Sequence, residues 1–330
     1  MGEALNVSRG GRGGSGPEGS FSWKQFLLKY NIILILMLIC LALSIYTNRF
    51  LNQENLINIT RQVSINGILA VGMTMVVLTG GIDLSVGSLV ALSGVVTAVL
   101  LRDHHMAIPM VVVVSVLVGL VMGSLNGYFV AYCRAAPFVV TLAMMTAARG
   151  MTYVYSKGRP ISPLPADFLF LGKGNLWIVP IPVIIFFLTF LLGVLILRHL
   201  RIGRYIYAVG GNETAAVVSG INAKRVKLFA YCFSGLLCGL AAIILTARVS
   251  AGLPQAGQSY ELDAIAATVI GGTSLAGGRG RLWGTLVGAL LLGVVNNGLD
   301  LMEITSFYQQ IVKGVIILGA VLLDSKRHSA

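Results

Sequence analysis

Long stretches without a charged side chain are the feature that most restricts how this chain can fold. A helix that crosses a bilayer needs about 20 predominantly apolar residues, and apolar runs in the cores of water-soluble domains are usually shorter. The chain is therefore predicted to be an all-α integral membrane protein. Seven runs of at least 18 residues contain no Asp, Glu, Lys or Arg: 30–48, 62–82, 84–101, 104–133, 174–197, 228–247 and 282–299.

Three further segments look like membrane helices with one interruption or a short core. They are 135–156, broken by Arg149; 264–278, rich in Gly and Ala; and 304–323, broken by Lys313. With the seven runs they predict about ten transmembrane helices. Composition agrees, because only 11% of the residues are charged, whereas water-soluble domains carry about 25%. The strict alternation of membrane barrel strands is absent from runs such as IPMVVVVSVLVGLVMG.

The distribution of Lys and Arg predicts the orientation in the membrane. If the N-terminus is cytoplasmic and the chain alternates through ten helices, fifteen of the 24 basic residues lie inside and seven outside. This excess follows the positive-inside rule and predicts that both termini are cytoplasmic. It also explains the net charge of +12 through contact with the lipid bilayer, so no nucleic acid partner is predicted.

The soluble parts divide into two tails and one large loop. Residues 1–26 are predicted to be a disordered, Gly/Ser-rich cytoplasmic tail, 27–325 the transmembrane domain, and 326–330 a second cytoplasmic tail. In the cytoplasmic loop at about 199–226, a short helix is predicted to begin at Asn212 or Glu213 and to end at Gly220. It could dock into a groove on another protein, or the loop could only fix topology.

A few neutral or acidic polar residues interrupt the apolar segments. Asp83, with Ser85 nearby, either caps the following helix or marks a helix break, after Gly80-Gly81, beside a translocation path. Asn126, Asn296 and Asn297 could offer hydrogen bonds to a neutral substrate, or could bond one helix to another. These five residues are the candidate translocation-path positions.

Other intramembrane positions have simpler interpretations. Arg149 and Lys313 can snorkel near helix ends, and Arg149 can bond backbone carbonyls; substrate contact is the alternative for each. Glu261 and Asp263 match the dipole of a helix N-terminus, or could form a salt link to a partner outside the membrane. Gly119, Gly123 and Gly127 are spaced as a helix-packing face. The sequence Gly271-Gly272 echoes Gly80-Gly81 weakly.

Several segments resemble one family. Glu213-x-Ala215-Ala216-x-x-x-Gly220 resembles the E-A-A…G loop of bacterial ABC importer permeases. The ribose-type branch of monosaccharide ABC importer permeases is similar over about residues 45–325. The segments that carry this resemblance are VGMTMVVLTGGIDLSVGSLV (71–90), LNGYFVAYCRAAPFVVTL (125–142), YELDAIAATVIGGTSLAGGRGRLWG (260–284), NNGLDL and YQQIVKGVIILGAVLLD.

The resemblance implies a multi-pass permease subunit with a type II-like ABC importer fold in the bacterial inner membrane. It implies three protein partners: a separate ATP-binding subunit that carries ATP and Mg, a periplasmic sugar-binding protein, and a second permease copy, which is expected to make a homodimer. Ribose is the expected cargo; allose, xylose, galactofuranose and a furanose-like signalling sugar are alternatives. The segment expected to couple to the ATP-binding subunit comprises Gly211, Asn212, Glu213, Ala215, Ala216 and Gly220.

Several motifs of ATP-binding proteins and enzymes are absent from the sequence. The chain has no G-x-x-x-x-G-K-[ST] phosphate-binding loop, so an ATPase would have to be a partner, and no cofactor is expected on this chain. It also lacks H-E-x-x-H and G-x-S-x-G, so neither a metal site nor catalytic residues are predicted and the chain is not expected to be an enzyme. A proton-coupled secondary transporter remains the alternative mechanism, with Asp83 as its candidate carboxylate.

Overall fold

The computed structural model of the chain describes residues 23–329; residues 1–22 and 330, and with them most of the predicted N-terminal tail, lie outside the described residues. Two short antiparallel strands, β1 (Asn175–Leu176) and β2 (Val179–Pro180), lie between α6 and α7. The regular structure is otherwise helical, which confirms the all-α class. The described helices are α1 (Trp23–Tyr46), α2 (Gln53–Leu78), α3 (Val86–Arg102), α4 (Ile108–Ala131), α5 (Pro137–Ser156), α6 (Ala166–Lys173), α7 (Ile181–His199), α8 (Arg201–Gly211), α9 (Glu213–Val218), α10 (Ala223–Val249), α11 (Tyr260–Ile270), α12 (Leu282–Leu301) and α13 (Ser306–Ser329).

Five helices within residues 23–329 are long and apolar enough to cross a bilayer: α2, α4, α7, α10 and α12. The shortest, α7, has 19 residues, which at 1.5 Å per residue gives about 28 Å, close to the thickness of the hydrocarbon core. Residues Ile32–Tyr46 of α1, and α3, are shorter apolar helices. The chain is therefore a multi-pass membrane protein.

Helices α2 and α10 form the centre of the bundle. α10 packs against α2, α3 and α4, and its Tyr231 and Leu237 side chains are fully buried. Large side chains on the outside of α4 are instead exposed, which suits contact with lipid. They follow three- and four-residue spacings along one stripe: Met110, Val113, Leu117 and Val121.

Helices α4 and α10 cross in backbone contact at glycines. A Cβ on Gly235 would lie 2.8 Å from the Cα of Gly123, and one on Gly239 would lie 2.6 Å from the carbonyl oxygen of Ser115. Gly119 meets the backbone of Gly235 in the same way. The predicted packing role of Gly119 and Gly123 is thus confirmed, and the matching glycines of α10 are their partners.

Two glycine breaks interrupt the helices and meet each other. α2 ends at Leu78, and Gly80, with φ +77°, turns the chain toward α3. α11 ends at Ile270, so the helix predicted over 264–278 is too long; Gly277 and Gly278 turn the chain with positive φ values. The Gly278 N–H donates to the Leu78 carbonyl oxygen at 2.9 Å. The contact between the two breaks is thus made by Gly278, whereas Gly271 packs against the backbone of Gly284 in α12.

Candidate functional site

An amphipathic helix that the sequence analysis missed, α8, leads into the predicted coupling segment. Its Ile206 and Val209 side chains are buried, while Arg201 and Arg204 are exposed. The apolar residues Ile202, Ile206 and Val209 have the i, i+4, i+7 spacing of one helix face, and this signal could have revealed the helix.

The C-terminal end of α8 lies against the contact between the two glycine breaks. A Cβ on Gly210 would collide with the Leu78 carbonyl oxygen and would lie 2.6 Å from the Gly278 nitrogen. A Cβ on Gly278 would lie 2.5 Å from the Cα of Gly211. We call this contact of Leu78, Gly210, Gly211 and Gly278 the glycine junction. It connects the segment before α9 directly to the breaks after α2 and α11.

The short helix predicted in the cytoplasmic loop is present as α9. The Asn212 Oδ1 atom accepts a hydrogen bond from the Ala215 N–H at 2.9 Å and so caps the helix. At the other end Gly220 has φ +84°, and the Ile221 N–H donates to the Ala216 carbonyl oxygen at 3.0 Å. This Schellman arrangement requires a residue that tolerates positive φ, hence glycine. Both helix signals in the sequence are confirmed, while the coupling role stays a prediction.

The surface of α9 combines one anchored face with one free face. Ala216 is buried, whereas Val218 is 83% exposed. The Glu213 carboxylate accepts from the Lys227 Nζ at 2.6 Å, which ties the start of α9 to α10. A groove of about 790 Å³ lies beside α9, and Arg134 of the α4–α5 connection lines its far wall. An exposed apolar helix beside an open groove is suited to docking against another protein.

Three of the candidate path residues come together in one buried network. The Asp83 Oδ1 atom accepts from the Ser85 hydroxyl at 2.6 Å and from the Ser85 N–H at 3.0 Å. Its Oδ2 atom accepts from the Ser234 hydroxyl of α10 at 3.3 Å. The Asn126 amide of α4 donates to the Ser85 hydroxyl oxygen at 2.8 Å. The network thus joins the α2–α3 break to two neighbouring helices, with every member buried.

The other two candidates lie at the opposite end of α2. Asn297 exchanges two side-chain amide hydrogen bonds with Asn55, at 2.7 and 3.0 Å. Asn55 is in the first turn of α2, whereas Asp83 follows its last turn. Asn296 is buried, and its Oδ1 atom has no hydrogen-bond partner among the described residues. The five candidates therefore form two separate groups, and their role in a path stays a prediction.

A polar pocket lies between α3, α5 and the loop before α11. The sequence did not predict that its residues lie together. The Arg149 Nη1 atom donates to the carbonyl oxygens of Pro254 and Ala256, at 2.7 and 2.9 Å. This confirms the predicted bonding of Arg149 to backbone carbonyls. The pocket has a volume of about 410 Å³, and its lining combines the charged residues Arg149 and Glu261 with neutral polar residues such as Thr146 and Gln258. Such groups can bond the hydroxyls of a sugar.

The charges at Lys313 and Asp263 neutralise each other. The Lys313 Nζ donates to the Asp263 carboxylate at 2.9 Å, joining α13 to α11. The Asp263 side chain is almost completely buried. Sequence reasoning treated the two residues separately, because no local pattern connects positions 50 residues apart. Pairing is the usual way in which a membrane protein accommodates ionisable groups.

We expect Asp83→Leu to destabilise the chain strongly and Asp83→Asn to be mild. Leucine leaves the Ser85 N–H and two serine hydroxyls without their buried acceptor, and each such loss costs about 1–3 kcal/mol. The asparagine amide oxygen can still accept from Ser85. Thermal unfolding of the purified variants in detergent would measure this difference, and equal melting temperatures would contradict the assigned role of the network.

The comparisons with known proteins all find transport permeases. The family model described as "Branched-chain amino acid transport system / permease component" matches residues 55–321. The chain is 47% identical over 308 residues to the ribose import permease protein of Escherichia coli K12, covering 92% of this chain and 96% of that protein.

Two further relatives carry the comparison beyond this protein. The ribose import permease of Bacillus subtilis 168 is 46% identical over 294 residues, 88% of this chain and 91% of the relative. The xylose transport system permease protein of Escherichia coli K12 is 37% identical over 343 residues, 85% of this chain and 87% of the relative. No solved structure matches the chain.

Proposed function

The chain belongs to the permease family whose model it matches over residues 55–321, and on this premise we propose that it is the membrane-spanning subunit of an ATP-driven ribose importer. As a permease it is a transport component and not an enzyme. The observation that carries the choice of cargo is the identity of 44–47% to ribose import permeases of three genera. Xylose permeases are less similar, at 34–37%.

The proposed topology has about ten membrane helices of the type II importer arrangement, with both termini cytoplasmic. Support comes from the helices of the described chain, because one overlaps each of the ten apolar segments of the sequence. The excess of basic residues on one side supports the orientation. The proposed location is the inner membrane of a bacterium, the setting of ATP-driven importers that use a periplasmic binding protein.

The proposed assembly contains two copies of this chain, two ATP-binding subunits and a periplasmic sugar-binding protein. ATP and Mg belong on the ATP-binding subunit, since this chain has no phosphate-binding loop. We place the ATP-binding subunit against α9 and its groove. The exposed Val218 side chain supports this placement, as does the tight capping of α9 at Asn212.

The glycine junction suggests how movement at α9 reaches the membrane helices. α9 follows α8 directly, and the last turn of α8 contacts Leu78 and Gly278 through backbone atoms. Backbone contacts of this kind transmit a displacement with little slack, because no flexible side chain lies between the segments. A shift of α9 would therefore move the breaks after α2 and α11. Alternating access through these breaks is the proposed transport step.

The translocation path is also part of the proposal. Asp83, Ser85 and Asn126 would hold the α2–α3 break beside the path, and Asn296 and Asn297 would contribute polar groups at the other end of α2. The pocket that Arg149 and Glu261 line also offers the neutral hydrogen-bonding groups of Thr146 and Gln258. A neutral sugar needs such groups and no unpaired charge that would trap it.

A sugar panel tests the proposed cargo. The chain, its ATP-binding subunit and its sugar-binding protein are reconstituted in liposomes, and ATP hydrolysis is measured with ribose, allose, xylose and galactofuranose. We expect ribose to stimulate hydrolysis most at equal concentration. Stimulation by another sugar alone would transfer the proposal to that sugar, and stimulation by none would contradict an importer for this group of substrates.

A further inference from the structure

A pocket of about 470 Å³ opens where the C-terminal end of α7, the middle of α8 and the start of α12 meet. It is separate from the groove beside α9. Its polar side is lined by Arg198 and Arg281, and its apolar side by Val194 and Leu197. Tyr207 closes one wall, and its hydroxyl donates to the Gly280 carbonyl oxygen at 3.0 Å.

The position of the pocket matches the boundary between hydrocarbon and water. α7 and α12 are both candidate membrane spans. Arg198 lies one residue before the end of α7, and Arg281 immediately precedes α12. Both arginines therefore lie at span ends, on the side of the membrane where α8 and α9 are located. This is the depth at which lipid headgroups lie.

The two arginines form an uncompensated positive site. Both are exposed, and neither forms a salt bridge with any residue in the described part of the chain. No acidic residue is among the described residues that line the pocket. A guanidinium presents several N–H donors in one plane, a geometry that fits the oxygens of a phosphate.

The rest of the pocket suits a hydrocarbon chain. The Trp283 ring packs edge-on against Phe190 of α7, with 4.9 Å between centroids. Trp283 is nevertheless 58% exposed, as is usual for an aromatic side chain at the membrane interface. Below the arginines, α7 exposes Leu191 and Leu195 to the outside. A ligand for this pocket must combine an anionic group with an apolar body.

We propose that this pocket is a binding site for an anionic glycerophospholipid of the cytoplasmic leaflet. Its phosphate lies between Arg198 and Arg281, and one acyl chain runs along Val194 and Leu197 beside Trp283. Basic pockets between membrane helices on the cytoplasmic side recognise anionic headgroups in this way. The bound lipid would fix the ends of α7 and α12 relative to α8, the helix that leads to α9.

Lipid binding to the full chain in nanodiscs tests the site directly. Variants Trp23→Phe and Trp177→Phe leave Trp283 as the single tryptophan, so its fluorescence reports on the pocket. We expect brominated phosphatidylglycerol to quench Trp283 much more than brominated phosphatidylcholine at equal mole fraction. Unlabelled phosphatidylglycerol should reverse the quenching. Equal quenching by the two lipids would overturn the proposal.

The specificity of the site is tested by removing two arginines from the pocket and, for comparison, two arginines from elsewhere on the same side of the chain. In the same single-tryptophan chain, Arg198→Gln with Arg281→Gln should lower the apparent affinity for brominated phosphatidylglycerol, measured by the quenching of Trp283, about thirtyfold. Arg201→Gln with Arg204→Gln removes the same charge from the exposed face of α8 and should leave this affinity unchanged. An equal loss in both pairs would show general attraction to an anionic surface and overturn a specific site. Inorganic phosphate should not displace the brominated lipid; full displacement would reassign the site to free phosphate.

Discussion

Glu213→Arg is expected to abolish the stimulation of ATP hydrolysis by sugar while the chain stays folded in the membrane. Glu213 begins α9, and its carboxylate is exposed apart from the ion pair with Lys227. Exposed ion pairs contribute about 0–1 kcal/mol to stability, so folding should survive. At a docking surface, by contrast, an inverted charge costs several kcal/mol, and affinity for the ATP-binding subunit should fall at least about a hundredfold.

A charge swap separates docking from internal stability in this experiment. The double variant Glu213→Arg with Lys227→Glu restores an ion pair between α9 and α10 with the charges exchanged. If Glu213 contacts the ATP-binding subunit, the double variant remains uncoupled. Recovery of stimulated hydrolysis would show that Glu213 serves only the internal pair. Thr214→Ala, an exposed position on the same helix, is the matched control and should retain coupling.

Gly235→Leu is expected to prevent accumulation of folded chain in the membrane. A Cβ at this position would lie 2.8 Å from the Gly123 Cα and would collide with the Gly119 carbonyl oxygen. Backbone atoms cannot rotate away as a side chain can, so α4 and α10 would have to separate. Overpacking a core usually costs about 1–3 kcal/mol, and separating two central helices should exceed that range. Membrane abundance and the monodisperse fraction after detergent extraction measure the effect.

Gly314→Leu is the control for this substitution. Gly314 is exposed on α13, and a Cβ added there meets no atom within 4 Å. The variant adds the same leucine side chain to a membrane helix without displacing a neighbour. Its abundance should match that of the unmodified chain. Similar loss in both variants would mean that leucine itself, and not the α4–α10 contact, lowers the yield.

The helices were predictable from the sequence where a local signal specifies them. Charge-free runs predict the long helices, because a bilayer span needs continuous apolar residues. Asn212 and Gly220 predict both ends of α9, because capping depends on residues within one turn. α8 was missed, although Ile202, Ile206 and Val209 carry its periodicity. Its apolar face has only three residues within a basic loop, so no charge-free run marks the helix.

Contacts between distant segments were not predictable in the same way. Asp83 and Asn126 were each identified as polar interruptions, but no spacing rule shows that Ser85 joins them. The pairing of Lys313 with Asp263 and of Asn297 with Asn55 depends on how helices pack, which a single sequence does not encode in any short pattern. The helix predicted over 264–278 was too long because its glycines adopt positive φ, and apolar composition alone does not reveal backbone conformation.

The energy source of uptake is the most direct test of the central claim that this chain is the membrane subunit of an ATP-driven importer. Proteoliposomes with the chain, its ATP-binding subunit, internal ATP and external sugar-binding protein are supplied with labelled ribose, with and without a protonophore. We predict uptake that requires ATP and is unchanged by the protonophore. Uptake that proceeds without ATP and stops with the protonophore would contradict the claim and identify a proton-coupled transporter, with Asp83 as its candidate carboxylate.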